Sequence, residues 1–178
     1  FLVFRHNIHD STSLPSNRIF CIDEDPEGFL WVGTEMGVSR YDPLTGSFRN
    51  HAFYPFYTER NANRVIDLST DENGDVWVLL PDAVIRIHAD TGSFDEYSLD
   101  GIPGGLALSS WSTLLCRGTS GLVLLGTGNG LYVMDPDTGG FRHAAMKERH
   151  ILAMHSDREG RVWVGASDGL ECFRWDTS

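Results

Sequence analysis

The sequence predicts an all-β fold: a β-propeller made of four-stranded antiparallel sheets, with about four blades' worth of chain. Three observations lead there. A block at residues 19–34 (IFCIDEDPEGFLWVGT) recurs at 65–80, in shortened form at 114–127, and again at 151–166. Two independent markers keep the same period: a glycine before each second strand at Gly28, Gly74, Gly121 and Gly160, and a Thr-Gly-x-Phe signature at 45–48, 91–94 and 138–141. Each period of about 40 to 50 residues holds four short apolar or alternating segments divided by turn residues, which is strand patterning and not the 3.6-residue period of helices. Four strands repeating at that interval are the mark of blades around an axis.

In the first repeat the strands are expected over 18–24, 29–34, 38–42 and 47–53. Asp25-Pro26-Glu27-Gly28, Asp71-Glu72-Asn73-Gly74 and Asp157-Arg158-Glu159-Gly160 read as tight hairpin turns, since Asp caps its own backbone and Gly accepts a positive φ. Glu35-Met36-Gly37 and Gly128-Asn129-Gly130 form the next turns, and Asp42 to Gly46 and Asp135 to Gly139 the third set. The blades then span 16–54, 62–99, 111–145 and 148–178 as one domain. Trp31, Trp77 and Trp163, with Leu124 in the same place in the third repeat, are expected to pack between blades, because a Trp on a strand buries much apolar area and needs only one hydrogen-bond partner. Phe48, Phe94 and Phe141 are read as blade-core residues alongside them.

The ends have their own logic. Phe4-Arg5-His6 matches Phe48-Arg49-Asn50 and Phe141-Arg142-His143, so residues 1–8 are expected to be the last strand of a neighbouring or closing blade, while the fourth repeat stops after its third strand. Two incomplete ends make one blade. This leaves two arrangements open: a closed four-bladed ring, or an arc of a larger ring whose bare faces are covered by missing blades or by a second copy in a homodimer. The lack of an initiator Met and the end in mid-motif read as a segment of something longer.

Composition excludes several function classes. With 14 Lys+Arg against 25 Asp+Glu the 178-residue chain carries a net charge of −11, which repels a phosphate backbone and argues against a nucleic-acid partner. No stretch has the roughly 18 apolar residues of a membrane-spanning helix, so no membrane contact is expected of this segment. Cys21, Cys116 and Cys172 are odd in number, lie in apolar strand-like runs without CxxC spacing, and are expected to be buried free thiols.

No catalytic group, metal or cofactor is expected. Asp23, Glu24 and Asp25 cluster, but Asp25 recurs as Asp71 and Asp157 at turns, and no group of opposite role is placed with it. The seven histidines, His6, His9, His51, His88, His143, His150 and His155, show no paired ligand spacing. Residues 126–130 (GTGNG) lack the Lys-Ser/Thr ending and following helix of a phosphate loop. Ligand contacts are instead expected in the blade-to-blade connections and the loops between second and third strands, which share one face of a propeller. Tyr54, Phe56, Tyr57 and Arg60 in the first connection, and Trp111 in the next, are the candidates, since aromatic faces with polar flanks suit sugar rings. The competing reading is that these aromatics cover blade edges or meet the rest of a parent protein.

The wording of residues 14–19 (LPSNRI), 25–34 (DPEGFLWVGT) and 37–48 (GVSRYDPLTGSF) resembles the two-component regulator propeller repeat of the sensor region of bacterial hybrid two-component histidine kinases. The resemblance covers essentially the whole chain. It is weaker in the second repeat, where Leu79-Leu80-Pro81-Asp82 stands in place of Gly-Thr, and in the third, which lacks both the aromatic and the Asp turn. It implies a periplasmic β-propeller in an inner-membrane sensor that detects small oligosaccharides from polysaccharide breakdown, with the kinase elsewhere in the parent. A protein-interaction propeller mediating dimerisation, or a propeller lyase or hydrolase, are the alternative function classes.

Overall fold

The computed structural model describes residues 1–54, 63–99, 102, 122–135 and 138–174, and the backbone of 113–117. The described chain is all-β, in four antiparallel meanders. Blade 1 holds β1 (Ile19–Glu24), β2 (Leu30–Thr34), β3 (Gly37–Asp42) and β4 (Ser47–His51). Blade 2 holds β5 (Asp67–Thr70), β6 (Val76–Leu79), β7 (Ala83–Ile87) and β8 (Phe94–Ser98). Blade 3 holds β9 (Thr113–Arg117), β10 (Leu122–Thr127), β11 (Gly130–Asp135) and β12 (Gly140–Ala145), and blade 4 holds β13 (Ile151–Ser156), β14 (Arg161–Ala166) and β15 (Gly169–Arg174).

One hydrogen-bonded unit explains why the turn and the tryptophan recur together. In blade 1, Asp25 Oδ1 accepts from the backbone N–H of Glu27 and Phe29, both at 3.0 Å, which closes the β1–β2 turn. Its Oδ2 accepts from Trp31 Nε1 at 2.8 Å, and the same indole-to-carboxylate bond joins Trp77 to Asp71 at 3.2 Å and Trp163 to Asp157 at 2.8 Å. The turn glycines Gly28, Gly74 and Gly160 have φ of 87°, 86° and 85°, a left-handed conformation costly to any residue with a Cβ. Blade 3 has neither the aspartate nor the indole. A buried carboxylate without its donor, or an indole without its acceptor, carries a desolvation penalty, so the two are kept or lost as a pair.

Each large residue faces the following blade. Trp31 packs with Val65, Leu68 and Val76 of blade 2; Trp77 with Val123, Leu125, Tyr132 and Met134 of blade 3; and Leu124 with Ile151, Val162 and Val164 of blade 4. Trp31 is 5% exposed, and Trp77 and Leu124 are fully buried. Close approach is built in: a Cβ on Gly33 would stand 2.3 Å from Cys21 Sγ and 2.6 Å from Val65 Cγ1. The inner strands pack in series, β1 on β5, β5 on β9 and β9 on β13, with no comparable packing of β13 on β1.

The described blades therefore form an arc and not a closed ring. Both terminal faces show it. Trp163, at the position of Trp31 and Trp77, is only half-buried, with no described blade packed over it, and Leu170 beside it is 66% exposed. At the other end Ile22 is 63% exposed.

Residues 1–8, expected as the last strand of a neighbouring or closing blade, form no strand here, and blade 4 has three strands among the described residues. The N-terminal segment instead folds back onto the outer face of blade 1. The His6 N–H donates to Asn17 Oδ1, the Phe48 N–H donates to Thr12 O, and the Phe4 ring meets Tyr41 and Phe48 at 5.0 and 5.3 Å. Leu14 closes a small cluster there with Val32 and Phe48. A strand cannot complete a blade that lies at the far end of an arc, and the apolar surface of blade 1 is the nearer place for the Phe4 ring to pack. Two other expectations also change. Phe94 is half-exposed on the outermost strand, with Phe53 against its edge, and Cys172 is exposed on the bare face of blade 4. Phe141 is half-buried against the cluster between blades 2 and 3.

Candidate functional site

The turns between second and third strands and the blade-to-blade connections lie at one end of the arc, tied to each other by backbone bonds. Glu35 N–H donates to Arg18 O, Leu99 N–H to Asp82 O, Glu148 N–H to Asn129 O and Ser167 N–H to His150 O, at 2.9–3.2 Å. Loops fixed this way on a rigid sheet scaffold are where binding residues concentrate in such folds.

Tyr54 stands on this face, held by Asn63. The Asn63 Oδ1 accepts from the N–H groups of Phe53 and Tyr54 at 2.8 and 3.0 Å, while its Nδ2 donates back to Tyr54 O at 2.8 Å. The Tyr54 phenol is pushed up to about 12, first by burial and then by its hydrogen bond to Glu96 and the charges of Glu96 and Asp82. It stays protonated and donates to the Glu96 carboxylate, while its ring packs half-buried against the blade 2 core. Phe56, Tyr57, Arg60 and Trp111 lie outside the described residues.

A second cluster on the same face was not singled out from the sequence. The Arg64 guanidinium sits 4.9 Å from the centre of the Phe20 ring and that of Arg18 5.8 Å from it, while Arg18 pairs with Glu35 at 2.7 Å. Arg64 Nε is buried with no hydrogen-bond partner among the described residues. Phe20 remains 37% exposed. A signal for this cluster was present, because Arg18 and Arg64 are separated by the same interval as Gly28 and Gly74. An aromatic edge flanked by guanidinium donors can take a polyhydroxylated ligand through apolar ring contact and directed hydrogen bonds.

The acidic cluster at 23–25 joins blades. Asp23 Oδ2 accepts from the Thr70 N–H at 2.7 Å and from its hydroxyl at 2.9 Å, tying blade 1 to blade 2. Asp25 is committed to its turn and to Trp31. Among the described residues no three His, Cys, Asp or Glu side chains converge on a metal-sized site. Burial, with the charges of Asp67 and Asp23, pushes the Cys21 thiol well above its ordinary range and makes it a packing residue. The 126–130 loop is a hairpin turn, with Thr127 Oγ1 donating to Gly130 O and accepting the Asn129 N–H.

Residues 13–36 match the family model of the two-component regulator propeller. No curated protein matches the chain. Among solved structures, the chain is similar to the extracellular domain of a protein described as a hybrid two-component system from B. thetaiotaomicron, at 24% identity and a TM-score of 0.70 over 94% of this chain. A second structure, described as the extracellular domain of a one-component system from the same organism, gives 25% identity and a TM-score of 0.69 over 92% of the chain. Virginiamycin B lyase from Staphylococcus aureus shares the fold at 14% identity, with a TM-score of 0.64 over 93% of this chain and 59% of its own. This chain spans 23% and 22% of the two B. thetaiotaomicron domains. The repeat, the blade architecture and these likenesses agree: the chain has the β-propeller blade fold, and its residues 13–36 match the two-component regulator propeller repeat.

Proposed function

We propose that the chain is part of the periplasmic sensing propeller of a hybrid two-component sensor, and that its connection-loop face recognises a glycan-derived oligosaccharide. The observation that supports this most directly is the regulator-propeller match at 13–36 within a fold similar to the extracellular domain of a two-component system. The ligand face rests on Phe20, exposed beside Arg64, whose Nε has no partner among the described residues. On this reading the segment has no catalytic role, and the kinase and the membrane crossing belong to the parent. The bare faces of blades 1 and 4 are covered in use by further blades of the parent or by a second copy of the chain.

A panel of neutral and acidic oligosaccharides added to the protein tests the loop face. At least one is expected to raise the melting temperature and shift the Arg64 side-chain resonances, and Arg64→Ala is expected to weaken that ligand by about tenfold, the loss of one charge-assisted hydrogen bond set. A panel that leaves the melting temperature unmoved contradicts the sensing assignment and favours a propeller that only mediates protein contacts.

A further inference from the structure

The repeat supplies its own control for a second site, at the opposite end of the arc from the connection loops. Equivalent side chains can be compared through the strand register. Arg40 on β3 faces Trp31 on one side and Arg49 on the other; in blade 2, Arg86 faces Trp77 and Asp95. Val38 pairs with His51, and its counterpart Val84 pairs with Tyr97. Phe29 follows Asp25 by the same interval at which Asp75 follows Asp71.

Between blades 2 and 3 these positions are fully satisfied. Arg86 Nε donates to Asp75 Oδ2 at 2.7 Å and the side chain also bonds Tyr97, while His88 bonds Asp95 at 2.8 Å. The Tyr97 ring stacks on Trp77 with centroids 5.8 Å apart and fills the interface up to Gly139.

Between blades 1 and 2 all three partners are exchanged. Phe29 replaces the carboxylate, Arg49 the acid and His51 the tyrosine. Arg40 stacks on Phe29 at 3.5 Å, keeps a 3.4 Å contact from its terminal nitrogen to Glu27, and lies 3.8 Å from an Asp25 oxygen that already accepts the Trp31 indole. Its Nε is buried with no hydrogen bond, and so is His51 Nε2. Where Tyr97 fills its interface, the smaller His51 leaves a cleft of about 320 Å³ bounded by Asp25, Glu27, Arg40, Arg49 and His51 on the blade 1 side and by Glu72 and Asp90 on the blade 2 side. Burial, and then the charges of Arg49 and Arg40, hold the His51 imidazole below its ordinary pKa.

We propose that this cleft is a binding site for a single carboxylate-bearing polyhydroxy ring, a sugar acid, whose carboxylate accepts from Arg40 Nε and His51 Nε2 and whose hydroxyls donate to Glu72 and Asp90. The two walls select that chemistry. On the blade 1 wall Arg40 Nε and His51 Nε2 lack an acceptor beside Arg49, while Asp25 there is already committed to Trp31 and Glu27 to Arg40; Glu72 and Asp90 on the blade 2 wall repel a second anionic group but accept hydroxyl protons. The volume lies at the low end of the range for small-molecule sites and suits one ring and not a chain of them. The inference stands on the cleft alone and does not depend on the loop face.

Isothermal titration of the chain with D-glucuronate, D-glucose and acetate tests it, read together with the His51 imidazole nitrogen resonances. Glucuronate is expected to bind and move the His51 signals, glucose to bind at least about tenfold more weakly for want of the charged partner, and acetate to be weaker than glucuronate. His51→Tyr places in blade 1 the side chain that fills the blade 2 interface, so it is expected to keep the fold and melting temperature and to abolish glucuronate binding. Arg40→Gln is expected to weaken binding by about tenfold or more. Equal affinity for glucose and glucuronate, acetate as tight as glucuronate, no binding of glucuronate, or binding that survives in a folded His51→Tyr variant each overturns the proposal.

Discussion

Trp77→Ala is expected to lower the unfolding free energy of the chain by about 3–5 kcal/mol, the usual cost of emptying a fully buried large aromatic position. Trp77 has no exposed surface and packs across the blade 2–blade 3 interface against Val123, Leu125 and Met134, while its indole satisfies Asp71. Truncation removes the packing, opens a cavity between two sheets that cannot easily close, and strands a carboxylate oxygen. The internal comparison sharpens this. Trp163 occupies the same place in the repeat and makes the same bond to Asp157, yet it is half-buried, with no described blade packed over it. Trp163→Ala is therefore expected to cost only about 1–2 kcal/mol in the isolated chain. Urea denaturation of the two variants decides the matter, and equal costs would falsify the assignment of these tryptophans to the following blade.

The second large effect is expected at Asp71. Its Oδ1 accepts from the Asn73 and Asp75 N–H groups at 2.9 and 3.0 Å, and its Oδ2 from the Trp77 indole. Asp71→Ala leaves two turn amides and a buried indole without acceptors and is expected to cost about 3 kcal/mol. Asp71→Asn retains one oxygen for the turn but directs an amide donor at another donor, and should fall between wild type and alanine. In a Trp77→Phe background, which has no indole N–H, the cost of Asp71→Ala is expected to drop by about 1 kcal/mol. Thermal or urea unfolding of the four proteins of this cycle measures the coupling, and additive costs mean that the turn and the indole are not one unit.

Much of the fold was legible because its determinants are local and repeated. Strands expected at 18–24, 29–34, 38–42 and 47–53 are found at Ile19–Glu24, Leu30–Thr34, Gly37–Asp42 and Ser47–His51. The Asp turn announced the first hairpin through its glycine and the tryptophan through its spacing. What the repeat could not convey was how the ends meet. Phe4-Arg5-His6 has the wording of an outer strand, but strand identity depends on a partner with free backbone groups, and blade 4 stands at the opposite end of the arc. Phe94 likewise shares the wording of Phe48, yet Phe48 is covered by the N-terminal segment while Phe94 lies half-exposed on an outer strand.

Site chemistry was less legible for a related reason. Exposed aromatics in a connection attract attention as single residues, and Tyr54 proves to be clamped by Asn63 and bonded to Glu96. The basic clusters arise across chain segments: Arg64 meets Phe20 only when two blades are side by side, and Arg40 lacks its carboxylate only by comparison with Arg86. Substitutions within a repeat, Asp75 to Phe29, Asp95 to Arg49 and Tyr97 to His51, were readable in the sequence, but the register that aligns them came from the sheets.

The measurement that tests the open arc most directly is the solution mass of the chain by analytical ultracentrifugation across a concentration series. Bare faces carrying Ile22 at one end and Leu170 and Trp163 at the other are expected to associate, so the mass should rise with concentration from 19.8 kDa to at least the dimer, and Leu170→Asp should suppress the rise. A chain that stays at the monomer mass at every concentration, with Trp163 as protected from a soluble fluorescence quencher as Trp77, would mean that the blades close on themselves and would contradict the arc.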